Sequence, residues 1–291
     1  MSIAGELYYH VKNYINSHQE SKSINKIISN FINDKSISIK NIANLKSYYK
    51  NGGRSPFPYS IEKEFNVNDV IILYDDLPYI LHNNRKLFFP RNFNATKIQK
   101  LYIGLNVEQH KDCPHCYTQN GFSIQKGTTL LDIGCADGMF SLDNIENVEQ
   151  LILFETRESW IEALKKTFEP WKEKVEIVNA FVSDNNSKKN VTIDSCSFKK
   201  SDHFFLKIDV EGAEEKVLSG ASRFLTNQES IQIAIATYHY ANDYINIESI
   251  LSQYNFETTP TDGYILFYYD TTITSPFLRR CILQGRKNNQ T

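Results

Sequence analysis

The chain has 291 residues, 41% hydrophobic and 23% charged, with a formal net charge of −2. That is room for one large domain, or one domain and an extension, and it leaves no electrostatic footprint for nucleic acid or an acidic membrane. No apolar run approaches the roughly 20 residues of a membrane span, and MSIAGELYYH shows no basic segment followed by an apolar one, so neither membrane insertion nor a signal peptide is expected. Five cysteines, few and odd in number, read as the reduced thiols of a cytoplasmic protein.

The first fifty residues are polar with scattered Ile, Leu and Tyr. Ile24, Ile27, Ile28 and Phe31 stand at helical spacing and predict one or two amphipathic helices. Asn51-Gly52-Gly53, followed by Pro56 and Pro58, is a breaker cluster and a plausible boundary. Residues 70–74 and 79–81 look like strands. Residues 79–82 can pair with 86–89 across Asn83-Asn84-Arg85, although this is not the preferred Asn-Gly turn. Residues 1–105 are therefore expected to form an accessory region of helices and a small hairpin, covering a ligand or making a homo-oligomer contact. Residues 106–291 are expected to form the main domain.

The segment HKDCPHCY, residues 110–117, is the first with chemical potential. Cys113 and Cys116 have the two-residue gap of zinc sites, with His110 or His115 as further ligands, but no second pair of cysteines exists to complete such a site. Alternatively it is a loop bent at Pro114. The preferred reading is that His115 and Tyr117 line a substrate pocket just before the first strand of the main domain.

That strand opens the most informative stretch, TLLDIGCADGMF at 129–140. An apolar strand runs into a glycine-bearing turn and then a helix, whose free N–H groups and dipole end face the turn. Asp132, Gly134, Cys135, Asp137 and Gly138 are the ligand-site candidates. The G-x-G-x-x-G of a dinucleotide site is missing, and carboxylates before and inside the turn suit an amine or ribose hydroxyl better than phosphate. Downstream, strands and helices alternate. Strands are expected at 151–154, 175–178, 191–193, 204–208, 231–236, 256–259 and 264–268. Helices are expected around 139–145, through Trp160, Leu164, Phe168 and Trp171, through Val217, Leu218, Ala221, Phe224 and Leu225, and through Ile247, Ile250, Leu251 and Tyr254. Alternation means a mostly parallel sheet covered on both faces. The last two strands flank Asp262-Gly263, a turn too short for a crossover, so they are expected to be antiparallel neighbours.

Ligands of open α/β sheets lie outside the carboxyl ends of the strands. Glu155 ends the second strand, where a carboxylate accepts from both ribose hydroxyls. Phe181, Ser183 and Asp184 follow the third, where an adenine would stack and hydrogen-bond. Asp209 and Glu211 end the fourth, and His239 follows the fifth. D-I-G-x-x-D-G at 132–138, F-E at 154–155, and L-K-I-D-V-E-G-A-E with V-L-x-G-A at 206–221 together resemble the FkbM-like family of methyltransferases, over roughly residues 127–237. The resemblance implies a Rossmann-like class I methyltransferase fold, S-adenosylmethionine as methyl donor, and an oxygen acceptor on a sugar or natural product. Two positions depart from it: Asp137, where Asn is common, and Thr237-Tyr238-His239, where the strand often ends in Glu. Asp137 still suits the donor's amine.

Transfer to a hydroxyl needs a proton acceptor or a group that positions the acceptor. Asp209 is the first choice and His239 the second, with Glu211 at the substrate pocket or capping the next helix. Alternatively Asp209, Glu211 and His239 hold Mg²⁺. The expected partner is a small-molecule or glycan acceptor. A methyltransferase-like binding module without turnover, acting through its N-terminal region, is the alternative.

Overall fold

The computed structural model describes residues 59–199, 201–267 and 277–287, with isolated positions between 26 and 47. Ile24, Ile27, Ile28, Phe31 and the breaker cluster at 51–58 lie outside the described residues. A short helix, α1 (Tyr59–Glu62), precedes an antiparallel sheet of β1 (Leu73–Tyr74), β2 (Pro78–His82) and β3 (Arg85–Phe88). His82 pairs with Arg85, so the hairpin turn is Asn83-Asn84 alone and Arg85 belongs to the strand. Both asparagines take positive φ, 50° and 64°, which a tight two-residue hairpin demands and which asparagine tolerates better than most residues. α2 (Ala95–Glu108) follows, its N-terminus capped by Asn94 Oδ1, which accepts from the Lys97 N–H at 2.9 Å.

The main domain continues through β4 (Thr128–Ile133), α3 (Met139–Asn144), β5 (Val148–Phe154), α4 (Glu158–Thr167), β6 (Val175–Val178), β7 (Phe181–Val182), β8 (Asn190–Val191) and β9 (Phe204–Ile208). Then come α5 (Glu214–Ser219), α6 (Ser222–Asn227), β10 (Ile231–Ala236), α7 (Asp243–Gln253), β11 (Glu257–Pro260), β12 (Ile265–Leu266), β13 (Leu278–Arg279) and β14 (Ile282–Lys287). Seven strands form one sheet in the order β11-β14-β10-β9-β4-β5-β6. The five from β10 to β6 are parallel, and β14 runs antiparallel between β10 and β11. This is the Rossmann-like class I methyltransferase fold, with its antiparallel C-terminal pair. Every residue of β4 and β9 is buried, as a central strand covered on both faces requires.

Alternate side chains feed two cores. Leu130, Leu151, Leu153 and Phe205 pack with the small sheet (Leu77, Ile80, Leu87, Phe89), Ile98 of α2, and α3 and α4. Leu131, Ile133, Leu206 and Ile208 pack under α5, α6 and α7. Among the described residues no helix is long and apolar enough to cross a membrane.

Three local expectations change. The strand after Asp262-Gly263 does not pair with β11; Ile265 and Leu266 pair with Arg279 and Leu278, and β11 takes β14 as its partner. β14, ILQGRK, is hard to read because Gly285 and two basic residues interrupt its pattern, yet Ile282 to Gly285 are all buried. The single helix expected through Val217 and Leu225 is two. A Cβ on Gly220 would collide with the Ser183 carbonyl, and the Asp194 carboxylate accepts from the N–H groups of Arg223 (2.9 Å) and Phe224 (2.7 Å), starting α6 afresh. The helix through Trp160 ends at Thr167, and Pro170 turns the chain into a 3₁₀ segment carrying Trp171.

Candidate functional site

The strand order reverses between β4 and β9, and a cavity of about 880 Å³ opens at the carboxyl ends of β4, β5 and β9. Its floor is the turn after β4. Gly134 (φ 79°) passes so close to the end of β9 that a Cβ would strike the Asp209 carbonyl. Gly138 (φ 75°) is different: it does not line the cavity, and its missing Cβ makes room for Leu164 and Phe168. Cys135 and Asp137 line the cavity. Asp137 Oδ1 accepts from the Met139 N–H at 2.8 Å, and burial pushes its carboxyl up to about 6.

Glu155 is buried at the end of β5 and reaches the cavity. Its Oε1 accepts from the backbone N–H groups of Thr156 and Arg157, both at 2.8 Å, and the Arg157 guanidinium covers both oxygens at 3.2 and 3.1 Å. Burial works against ionisation here, but Arg157 holds the carboxyl below its ordinary value. The Arg157 side chain is itself 60% exposed. Phe181, 57% exposed, and the buried Ser183 also line the cavity. Asp184 does not: it is exposed outside the cavity, accepting from Ser183 Oγ and Asn185 Nδ2.

Asp209 follows β9 inside a shell of two tyrosine hydroxyls and two imidazoles. Tyr117 OH donates to Oδ2 at 2.7 Å, and Tyr238 OH lies 3.4 Å from both oxygens. His115 Nε2 is 3.4 Å from Oδ2 and His239 Nε2 is 3.7 Å from Oδ1. Burial alone would raise this carboxyl, yet His115, Lys207 and His239 hold it far below the carboxylate range. The 110–119 loop carries His115 and Tyr117 to this point because the C-terminal strands grip it. Thr261 Oγ1 donates to the Pro114 carbonyl at 2.6 Å, and Gln284 Nε2 to the Tyr117 carbonyl at 3.0 Å.

His239 sits behind Asp209 and is not part of the cavity wall. Its ring makes ion-pair contacts with Glu214 Oε1 (3.1 Å) and Glu211 Oε2 (3.4 Å). Burial opposes its charge, but these carboxylates raise the imidazole to about 10. Asp209, Glu214 and His239 bring ligand atoms within 4.8 Å of one another. Glu211, expected in that group, has a side chain 92% exposed, while Glu214 is buried. The surrounding carboxylates favour the charged imidazole, and Glu214 Oε1 accepts from the Val210 N–H at 3.0 Å. In this structure the trio forms an ion-pair cluster around the buried Glu214. The zinc alternative fares no better: His110 turns to Glu64 and His115 to Asp209, away from the buried thiols of Cys113 and Cys116.

Asp132 lies on the cavity floor but is held internally. Its Oδ2 accepts from Ser141 Oγ at 2.7 Å and its Oδ1 faces Lys207 Nζ at 3.1 Å. Lys207, Glu108, Arg157, Trp160 and Tyr238 also line the cavity and were not among the sequence candidates. A lysine inside the apolar run FFLKI was the one local signal; Glu108 at the end of α2 offered none.

The family model of the methyltransferase FkbM domain matches residues 92–258. No match is found among curated protein sequences. Among solved structures the chain is similar to methyltransferase FkbM from Methylobacillus flagellatus KT, with 15% identity over 66% of this chain and a TM-score of 0.44. That match spans only 55% of the other protein. A methyltransferase from Pyrococcus furiosus shows 15% identity over 70% of this chain and 90% of its own, with a TM-score of 0.42. The N-methyltransferase NodS from Bradyrhizobium japonicum WM9, in complex with S-adenosyl-L-homocysteine, shows 10% identity over 68% and 90%, with a TM-score of 0.38. The family match takes in more than half of the chain and every cavity residue from Leu101 to Tyr238, and by it the chain belongs to the FkbM methyltransferase-domain family.

Proposed function

We propose that the chain is an S-adenosylmethionine-dependent methyltransferase acting on a hydroxyl of a small-molecule or glycan acceptor, a saccharide or secondary metabolite. The carrying observation is that one cavity is lined both by Asp137, Glu155 and Phe181, from the ends of β4 and β5 and from β7, and by Asp209 with Tyr117, Tyr238 and His115. The buried carboxyl of Asp137, raised to about 6, is what a ligand's ammonium group would relieve. Glu155, once Arg157 swings off, would accept from ribose hydroxyls, and the exposed ring of Phe181 with Ser183 would meet the adenine. When bound, S-adenosylmethionine supplies a methyl group on a positively charged sulfur.

Asp209, whose neighbours favour its charged form, serves as a fixed acceptor that orients the incoming hydroxyl, with Tyr117, Tyr238 and His115 holding its carboxylate. A divalent ion there would compete with His115 and His239 for the same two oxygens, so the reading assigns none. Residues up to about 105 act as the accessory region, and α2 closes the cavity with Leu101 and Leu105.

The test is mass spectrometry of the denatured, purified protein for carried-over S-adenosyl compounds, followed by calorimetry with S-adenosylhomocysteine. Glu155→Ala is expected to weaken binding by about 1.5–3 kcal/mol, the range for a hydrogen bond to a charged group. A protein that neither carries nor binds these compounds refutes the reading.

A further inference from the structure

The donor shell of Asp209 creates a problem for methyl transfer to oxygen. A carboxylate that already accepts from Tyr117 and faces Tyr238, His115 and His239 is a strong anion but a poor sink for a proton. His239 is behind the wall among carboxylates that favour its charged form, and His115 turns its Nε2 toward Asp209 and the Tyr238 hydroxyl. The same cavity is lined by a carboxyl in the opposite condition. Glu108 is the last residue of the fourteen-residue α2, half-buried, and it lines the cavity beside Gln109 and His115. Its position at the carbonyl end of a helix disfavours its negative charge. No hydrogen bond reaches its carboxyl among the described residues.

We infer that Glu108 is the proton acceptor of the reaction and Asp209 its positioning partner, an assignment that rests on the methyltransferase reading above. Atoms balance as follows. The acceptor oxygen bonds to the methyl carbon as the carbon–sulfur bond breaks, and that bond's electron pair stays on sulfur and cancels its positive charge. The hydroxyl proton passes to Glu108, which becomes a neutral acid and returns it to water. Two carboxyls on one cavity whose surroundings push their proton affinities apart divide the work in this way. Burial raises Glu108 to about 7, near the working pH where a general base is most effective. The charges facing it are His115 from the 110–119 loop, Asp137 after β4, and Lys207 and Asp209 from β9. The carboxylates raise it further, while His115 and Lys207 partly offset the rise.

The experiment combines turnover with direct titration. Tritiated S-adenosylmethionine is offered with a panel of methyl glycosides and catechols to the full chain, to Glu108→Gln and to Glu108→Asp. The wild-type rate is expected to rise with pH through about 7 and then level. Glu108→Gln is expected to lose the rising limb and about 10²–10⁴-fold in kcat, with S-adenosylhomocysteine affinity within about threefold of wild type. Glu108→Asp is expected to recover part of the limb, which a merely structural side chain would not do. In parallel, ¹³C-carboxyl NMR of Glu-labelled protein is expected to show a resonance titrating near 7 that Glu108→Gln removes. An unchanged limb in Glu108→Gln, or a Glu108 carboxyl titrating in the ordinary range whether or not any panel member turns over, overturns the assignment. A wild-type protein that fails to bind S-adenosylhomocysteine defeats the underlying reading instead.

Discussion

Replacing Lys207 by methionine tests the buried floor of the cavity. Lys207 Nζ lies 3.1 Å from Asp132 Oδ1, with the side chains 6% and 1% exposed, and it donates to the Gly134 carbonyl at 2.6 Å. Coulomb's law at an effective dielectric of about 20 gives about 5 kcal/mol of attraction at this separation. Methionine keeps the stem's volume but leaves Asp132 with only the Ser141 hydroxyl. One-sided removal of a buried pair costs about 3–5 kcal/mol, which in a chain of this size lowers Tm by roughly 5–15 °C. The Lys207 ammonium is held above its ordinary value despite burial, chiefly by Asp132. Its own contribution is complete below the unfolded lysine value of about 10.4, and the loss is expected to be larger at pH 9 than at pH 6, because Lys207 also favours the ionised forms of Glu108 and Asp137. Pairing the change with Asp132→Leu removes both charges and is expected to return at least half of the loss, because apolar replacement of a whole pair is often close to neutral. The assay is urea denaturation with the m-value checked, alongside calorimetric Tm. A single variant within about 1 kcal/mol of wild type, or a double variant as unstable as the sum of the singles, refutes the reasoning.

Asp137→Asn should act in opposite directions on stability and binding. The folded carboxyl titrates near 6, above its ordinary 3.8, so stability is complete below about 4 and falls as pH rises to about 6. Denaturation at pH 7.5 should find the variant more stable by up to about 3 kcal/mol and at pH 4 unchanged, while calorimetry finds weaker S-adenosylmethionine binding. Gly138→Ala should destabilise by about 1–3 kcal/mol, since its Cβ would sit 2.6 Å from Leu164 Cδ2 at a left-handed φ, yet leave ligand affinity intact in the folded fraction. Arg157→Ala should tighten S-adenosylhomocysteine binding by about 0.2–1 kcal/mol, because it frees Glu155 from a largely exposed partner; weaker binding would place Arg157 on the ligand.

Some of this protein is written in single stretches of its sequence. The turn after β4, the carboxylate of Glu155 closing an apolar run, and the D-V-E-G end of β9 are readable because a buried parallel strand is a continuous apolar run and its polar end residue faces the ligand crevice. The Asn83-Asn84 hairpin was legible from its turn residues, to within one residue of register. Whatever depends on residues far apart in the chain was not. β14 finds its place by hydrogen-bonding both β10 and β11, which a pattern broken by Gly285 conceals. α6 begins where it does because Asp194, some thirty residues earlier, caps it. Asp184 and Gly138 sit in the right motifs, but the direction of a turn puts one in solvent and the neighbouring helix claims the other. The division of labour among the carboxylates is decided last of all. Asp209 owes its low proton affinity to His115, Lys207 and His239, and Glu108 its high affinity chiefly to a buried wall, surroundings that come together only when loop, sheet and helix have folded.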